Sequence, residues 1–203
     1  MSHYYDFDPS LQSKPKQINA YIGNEKLSFL TDIGVFSKNE IDFGSYLLIL
    51  ELLKQPSVET LLDVGCGYGV IGLTLSYFKK CQQVDLIDVN PRAIELTLKN
   101  AKNFHLSNAE VYLSDGFTNV KKIFDTIVMN PPIRAGKKVI YSMFLDAFYH
   151  LKHQGELWIV IKKDLGALSA QKKLLEIFKQ VRVVLKHKGY WILQATKENC
   201  ESE

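Results

Sequence analysis

Two short stretches of this chain combine residue types and spacings that chemistry could use. The first is Leu61-Leu62-Asp63-Val64-Gly65-Cys66-Gly67-Tyr68-Gly69, an apolar run that passes directly into three glycines at alternate positions. Glycine lacks a Cβ and tolerates positive φ, so such a loop can turn sharply and let a ligand lie against the start of the following helix. A plain tight turn between a strand and a helix would use the same residues. The third glycine comes two residues after the second, which departs from the G-x-G-x-x-G of dinucleotide sites. Asp63, on the strand just before the glycines, can accept bonds from loop amides and face a cationic ligand, whereas a pyrophosphate would be repelled there.

The second stretch is Asn130-Pro131-Pro132-Ile133, which follows the apolar run Phe124-Asp125-Thr126-Ile127-Val128-Met129. Two prolines have no N–H to continue a strand ladder, so the backbone becomes a stiff, exposed turn. From such a turn the Asn130 amide and the carbonyl of Met129 or Pro131 can be aimed at a substrate amine. Taken alone, the triplet is also simply a strong turn. Two more acids end apolar runs: Asp88 in Val84-Asp85-Leu86-Ile87-Asp88, and Asp115 in Ser114-Asp115-Gly116. A carboxylate at such a place can accept from paired hydroxyls or from an amine. A solvated strand-end acid and an ordinary turn aspartate are the plain alternatives. By period two Asp85 points to the other face and is the weaker candidate.

The elements that must hold these residues can be read from periodicity. Strands are expected near Thr60 to Val64, Gln83 to Val89, Glu110 to Leu113, Thr126 to Met129 and Leu157 to Ile161. Helices are expected near Ser45 to Lys54, with Ser45 as cap, and near Val70 to Phe78, Pro91 to Phe104, Lys138 to Leu151 and Ser169 to Phe178. Asn90-Pro91 gives a capping side chain followed by proline at the first helical position, and Ser169 is placed to cap the last helix. Nearly continuous apolar strands alternating with helices imply a parallel sheet covered on both faces. The chain ends differently, because Val181 to Leu185 and Tyr190 to Thr196 are joined by Lys186-His187-Lys188-Gly189, too short for a crossover, so an antiparallel hairpin closes the sheet. Before the first helix, Ile18 to Ile22 and Leu27 to Thr31 flank Gly23-Asn24 and predict a small hairpin.

At 203 residues, 46% hydrophobic and 23% charged, the chain is expected to form a single globular domain, 1–203. Within it, 1–40 would be a hairpin and covering segment and 41–203 the α/β core. A net charge of +3 permits a nucleic-acid partner without demanding one. Cys66, Cys81 and Cys200 suit neither a disulfide framework nor a zinc site and are expected to be free thiols. The start, Met1 to Asp6, lacks a basic region followed by an apolar one, and no apolar run reaches membrane-span length, so a soluble cytoplasmic protein is expected. No histidines pair at ligand spacing and no metal is assigned; His150 and His153 are expected to end a helix and stabilise its C-terminus.

Asp63 to Gly69 resembles motif I of class I S-adenosylmethionine-dependent methyltransferases, and the later motifs follow in order. The resemblance implies a Rossmann-like fold: a seven-stranded, mostly parallel sheet with an antiparallel C-terminal hairpin. It implies S-adenosyl-L-methionine as cofactor, held at Asp63, Gly65, Cys66, Gly67 and Gly69. Asp88 with Val89 would serve the ribose hydroxyls, and Asp115 with Gly116 the adenine amine. Asn130-Pro131-Pro132 is similar to the Asn-Pro-Pro-aromatic motif, in which the amide and a backbone carbonyl orient a planar amine for direct methyl transfer; Asn130 then also borders the cofactor. Ile133 departs from that motif, where an aromatic would stack on a target base.

Phe29 to Gly44, the segment Asn130 to Lys137 and the ending Lys186-His187-Lys188-Gly189-Tyr190 are similar to the RsmC-like small-domain group, which includes rRNA guanine-N2 methyltransferases. The resemblance spans roughly residues 16–198 and implies an exocyclic amine of RNA as substrate, guanine N2 of small-subunit ribosomal RNA in particular. It places Phe36 and Ser37 near the methionine end of the cofactor, an ordinary loop between hairpin and helix being the plain alternative for Gly34 to Gly44. Ile133, Arg134 and Lys137 would contact substrate. Basic residues cluster as Lys14 and Lys16, Arg134 with Lys137 and Lys138, Lys162 with Lys163, and Lys186 with Lys188; in the expected topology the Asn130 turn, Lys162 and Lys163 lie toward strand C-terminal ends, as a phosphate-facing rim or simply a solvated charged surface. A protein glutamine or a small-molecule amine is an alternative substrate, and a catalytically silent RNA- or partner-binding module is an alternative role.

Overall fold

The computed structural model describes residues 12–198. Residues 1–11 and 199–203 lie outside that range, and with them the Met1 to Asp6 start and Cys200.

Lys16–Ile22 (β1) and Glu25–Thr31 (β2) pair antiparallel around Gly23-Asn24. Phe43–Leu53 forms α1. The remaining elements alternate: Val58–Val64 (β3), Val70–Tyr77 (α2), Cys81–Asp88 (β4), Pro91–Asn103 (α3), Ala109–Leu113 (β5), Phe124–Met129 (β6), Lys137–His150 (α4), Leu151–Lys162 (β7), Ala167–Phe178 (α5), Lys179–His187 (β8) and Tyr190–Lys197 (β9). Strands β3 to β9 build one sheet in the order β5-β4-β3-β6-β7-β9-β8. The four pairings from β5 to β7 are parallel, and β9 pairs antiparallel with both β7 and β8. This is the expected fold, with the C-terminal hairpin inserted so that β9 lies inside β8.

Alternate residues along each strand feed two cores. Leu61, Leu86, Val128 and Trp158 face α1, α2, α3 and the β1–β2 hairpin, while Leu62, Ile87, Ile127 and Leu157 face α4 and α5. Asn100 of α3 fastens the hairpin from inside the first core. Fully buried, its Nδ2 donates to Leu30 O (2.9 Å) and to Tyr68 O (2.9 Å), and its Oδ1 accepts from Leu30 N–H (2.7 Å). One side chain thus joins β2 to the glycine loop.

Several local expectations are corrected. Helix α1 starts at Phe43, not at Ser45, because the Asp42 carboxylate accepts the Ser45 N–H at 2.9 Å and is the cap. Helix α5 starts at Ala167 after Gly166, whose φ of 111° ends the preceding short turn, and the Ser169 hydroxyl donates to Gly166 O instead of capping. His153 belongs to β7 rather than to a helix end, because β7 begins at Leu151, directly after α4. His150 does end α4, with Nδ1 2.8 Å from Asp146 O and Nε2 3.3 Å from Val120 O. The last turn is shorter than expected. Lys188 and Gly189 adopt φ of 45° and 80°, the left-handed pair of a two-residue hairpin turn, so β8 continues through His187. Among the described residues no helix is long and apolar enough to cross a membrane.

Replacing Asn100 by alanine strands three buried backbone groups, each costing about 1–3 kcal/mol. Asn100→Ala is therefore expected to lose several kcal/mol of unfolding free energy in denaturant titration. Amide exchange should accelerate first in Lys16–Thr31. Unchanged exchange there would show that the hairpin is held by other contacts.

Candidate functional site

The glycine loop and the Asn-Pro-Pro turn meet because three strands end at one level. Ile87 of β4 and Met129 of β6 both pair with Val64 of β3. The next residues, Asp88, Gly65 and Asn130, therefore stand side by side at the C-terminal edge of the sheet. Asp88 pairs in turn with Leu113, so Ser114 and Asp115 follow on the far side. Between β3 and β6 the strand order reverses, which in open α/β sheets creates a crevice beyond the strand ends.

The loop's backbone is shaped as a cradle. Gly65 and Gly67 have φ of 70° and 60°, and a Cβ built on either would meet nothing within 4 Å, so both border open space. Gly72, in α2, is different: a Cβ there would come within 3.0 Å of Asp63 Cβ and 2.8 Å of Leu86 Cδ2. Its absence lets α2 press against β3, and the Gly72 N–H donates to Asp63 Oδ2 at 2.8 Å.

Asp63 is 1% exposed and its second oxygen, Oδ1, is buried without a partner. Burial pushes this carboxyl up to about 7; the Gly72 hydrogen bond opposes the rise and the Asp88 charge adds to it. A buried acid with an unused oxygen and no cation is an unstable arrangement that a cationic ligand would relieve.

Asp88 is half-buried, with Oδ2 accepting from Gly67 N–H and Oδ1 from Asn90 N–H, both at 2.9 Å. Burial raises its pKa, and the amides of Asn90, Gly67 and Val89 lower it. Each oxygen keeps a lone pair for a further donor. Asp115 is exposed beyond β5, and the Ser114 hydroxyl donates to Gly116 O at 2.8 Å, shaping that turn. The Cys66 side chain faces inward, with Sγ 3.7 Å from Thr97 Oγ1, and burial drives its thiol pKa far up, so only its backbone borders the crevice.

Asn130 is fixed by two residues that sequence reasoning did not assign to the site. Its Nδ2 donates to Asp42 Oδ2 (2.9 Å) and to Ser45 Oγ (3.0 Å). A carboxylate can only accept, so the amide has one possible orientation and Oδ1 is left as the outward acceptor. No donor among the described residues takes that oxygen. The clue available in sequence was Asp42 three residues before Ser45, ahead of a leucine-rich helix, but the partner at Asn130 is 88 residues away.

Residues 33–42 cross the crevice between anchored ends. Arg92 Nη1 donates to Ile33 O (2.6 Å) and Asn90 Nδ2 to Gly34 O (2.9 Å), while Asp42 holds Asn130 at the other end. Phe36, on this segment, is 62% exposed, and Ser37 has a φ of 56° with its hydroxyl donating to Glu40 O. Pro131 is buried, and Pro132 and Ile133 are half-buried, Ile133 against the α4–α5 core. Lys137 opens α4 and is exposed; the Arg134 side chain lies outside the described part. Among the described residues no group of three or more His, Cys, Asp or Glu could hold a metal ion.

The family described as methyltransferase small domain matches residues 26–194. The uncharacterized protein YbxB of Bacillus subtilis is 49% identical over 198 residues, 96% of this chain and 98% of that protein. Ribosomal RNA small subunit methyltransferase C of Aeromonas hydrophila is 37% identical over 143 residues, 68% of this chain but 41% of that protein. Among solved structures, the T. thermophilus 16S rRNA N2 methyltransferase RsmC in complex with AdoMet and guanosine superposes with a TM-score of 0.81 at 27% identity, over 94% of this chain and 52% of that one. The chain thus spans about half the length of these two rRNA methyltransferases.

The Asp63 geometry generates a test. Its folded pKa lies above the ordinary 3.8, so its contribution to stability is complete below about pH 4 and is lost as pH rises through about 7. Asp63→Asn keeps the acceptor for Gly72 and removes the buried charge. Its melting temperature should exceed the parent's by several degrees at pH 8, with the difference vanishing near pH 4. A variant no more stable at pH 8 would mean that Asp63 is already compensated in the free protein.

Proposed function

The chain belongs to the methyltransferase small domain family, and from that premise we propose that it methylates an exocyclic amine of a base in RNA, guanine N2 of small-subunit ribosomal RNA being the best-fitting target. Its methyl donor is S-adenosyl-L-methionine, as the family and the cofactor-bound structural relative agree. The crevice suits that cofactor on its own evidence, since the unpartnered Asp63 Oδ1 awaits a cation beside open space above Gly65 and Gly67. When bound, the cofactor supplies an electrophilic methyl on a sulfonium.

The chain's own residues then divide the work. Asp63 faces the cationic amino-acid end, and the backbone from Gly65 to Gly69, including Cys66, lines it. Asp88, with the adjacent Val89 backbone, accepts the ribose hydroxyls. Asp115 and Gly116 border the adenine, and Phe36 and Ser37 cover the methionine end from the segment that crosses the crevice. Asn130 carries the reading, because its locked amide presents Oδ1 to an N–H of the substrate amine. The carbonyl of Met129 or Pro131 takes the second N–H, and the nitrogen lone pair is left pointing at the methyl. Asp63, Asp88 and the Gly65 to Gly69 backbone would hold the cofactor that supplies the methyl to this nitrogen, and the proton displaced from the amine would leave to solvent. Catalysis in this scheme is orientation, with no covalent bond to the protein. Ile133 offers the base an apolar contact, and Lys137, exposed at the start of α4, is available to a phosphate; Arg134 is assigned the same role from its place in the sequence alone. The rRNA activity in the names of the similar proteins supports RNA as the substrate.

Incubation with methyl-labelled cofactor and either ribosomal subunits or soluble protein extract tests the substrate class. Label in ribosomal RNA is expected, and label confined to protein would overturn the RNA assignment. Within the site, Asn130→Ala should lower turnover about a hundredfold with cofactor affinity retained. Asp88→Ala should instead weaken cofactor binding about tenfold or more, through lost charge-assisted hydrogen bonds. Equal loss of cofactor affinity in both would contradict this division.

Asp42→Asn separates positioning from capping. Asparagine caps a helix as well as aspartate does, but it no longer dictates which way the Asn130 amide faces. Turnover should fall about tenfold or more while melting temperature and the Michaelis constant for cofactor hold. A fall in stability of the same rank would make Asp42 a structural residue only.

A further inference from the structure

We propose that the tip of the β8–β9 hairpin, together with Phe43, is the docking surface for the single-stranded nucleotides that flank the target base. The inference rests on RNA being the substrate and adds where the strand lies. The tip adjoins the amine site through Gly44. A Cβ on Gly44 would stand 2.7 Å from the Tyr190 ring and 3.0 Å from Asp42 Oδ2, so Tyr190 and the carboxylate that orients Asn130 meet over one glycine.

Aromatic rings gather there, Phe43, Tyr46 and Tyr190 half-buried and His187 exposed. The Phe43 ring centre is 5.7 Å from Tyr190, 6.0 Å from His187 and 6.4 Å from Tyr46. Lysines lie over these faces, Lys188 Nζ 5.3 Å from the Phe43 ring centre and Lys162 Nζ 5.1 Å from Tyr190. Around the edge, Lys186 Nζ is 3.9 Å from the Trp191 ring, and with Lys163 it lines a concavity of about 340 Å³ that contains no acid.

Charge decides what this surface wants. Lys54, Lys122, Lys152 and Lys173 each hold a carboxylate within 3.1 Å. Among the described residues, Lys162, Lys163, Lys186 and Lys188 hold none, although the tip brings all four together. Exposed lysines are ordinarily solvated, but like charges collected on one small turn repel one another until an anion arrives. The turn is also rigid: Lys188 and Gly189 are fixed in left-handed conformations, and Lys163 N–H donates to Gly189 O at 2.7 Å. Cations interleaved with aromatic faces match a single-stranded nucleic acid, whose phosphates and unstacked bases need both. A smooth duplex would meet the lysines and leave the rings unused.

The test uses the full chain and a fluorescently labelled, mixed-sequence single-stranded RNA of about fifteen nucleotides, a length matching the upper range of such sites. Binding is titrated at several salt concentrations. Lys186→Ala/Lys188→Ala should weaken binding at least several-fold and flatten the slope of log K against log salt by about 1.4, or about 0.7 per phosphate contact. Lys99→Ala/Lys102→Ala on the exposed side of α3 should change neither. Phe43→Leu should weaken binding about tenfold with the slope unchanged, because stacking releases no counterions. Calorimetric titration with S-adenosylhomocysteine, expected to be unaltered in the lysine variants, confirms that they fold.

A parent that binds RNA with a slope the tip variants leave intact would overturn the docking surface while the RNA substrate stands. A parent that binds no RNA, or prefers polyglutamate, would overturn both.

Discussion

A single carboxylate oxygen joins the two halves of this candidate site. Asp42 Oδ2 accepts from the Ser45 N–H, which starts α1, and from Asn130 Nδ2, which ends β6. The same contact fixes where the first long helix begins and which way the proposed catalytic amide faces. Ser45, at the third helical position, supplies the second acceptor. Around this contact are arranged the segment from Ile33 to Asp42 above, the Tyr190 ring beside Gly44, and the parallel register below that puts Asp88, Gly65 and Asn130 on one level. Moving any of these by one residue would turn the amide or the acid away, since the side-chain period of a strand is two.

The opposite end of the crevice is organised by instability. Asp63 is held against α2 by the Gly72 amide, yet its other oxygen has no partner and a second acid lies near. In the free protein this opposes ionisation near neutral pH. With a cation in the cradle the same burial strengthens the attraction, because the dielectric that penalises a lone charge also sharpens a paired one. On the proposed reading, stability given up at Asp63 is returned as affinity for a cationic cofactor, a common relation between strain and function.

The residues that come together at the crevice were largely legible because their signals are local. A glycine loop after an apolar strand, an acid at a strand end and a proline pair after another each carry their meaning in a few adjacent residues, and the sheet follows from the alternation of apolar runs. The connections between distant residues were not legible. Nothing near Asp42 indicates Asn130, and Ser45 looks like a cap until Asp42 is seen to take that role and release its hydroxyl. Asn100 sits in the middle of a helix as an unremarked polar residue, although it holds β2 and the glycine loop together. Ser169 failed as a cap for a related reason: Gly166 could adopt a φ of 111° and start the helix first. The length of the last turn was misjudged because Lys188 takes a positive φ that its type does not advertise.

Ile133 shows how the absence of an aromatic is accommodated. It is half-buried against the α4–α5 core, with Pro131 buried ahead of it, so much of its surface already serves to seat the turn. What remains is an aliphatic edge, which can exclude water from a base but cannot stack on it over a full ring. On the proposed reading, selection of a target base would then come from directional groups at the amine and from contacts to neighbouring nucleotides. The molecule offers both on one side of the crevice: an amide of fixed orientation, and beyond Gly44 a set of rings with lysines that hold no carboxylate among the described residues. A weak grip on the base and a strong grip on the strand would be compatible with efficient transfer, because binding energy from parts of a substrate remote from the reacting atom can hold that atom in place.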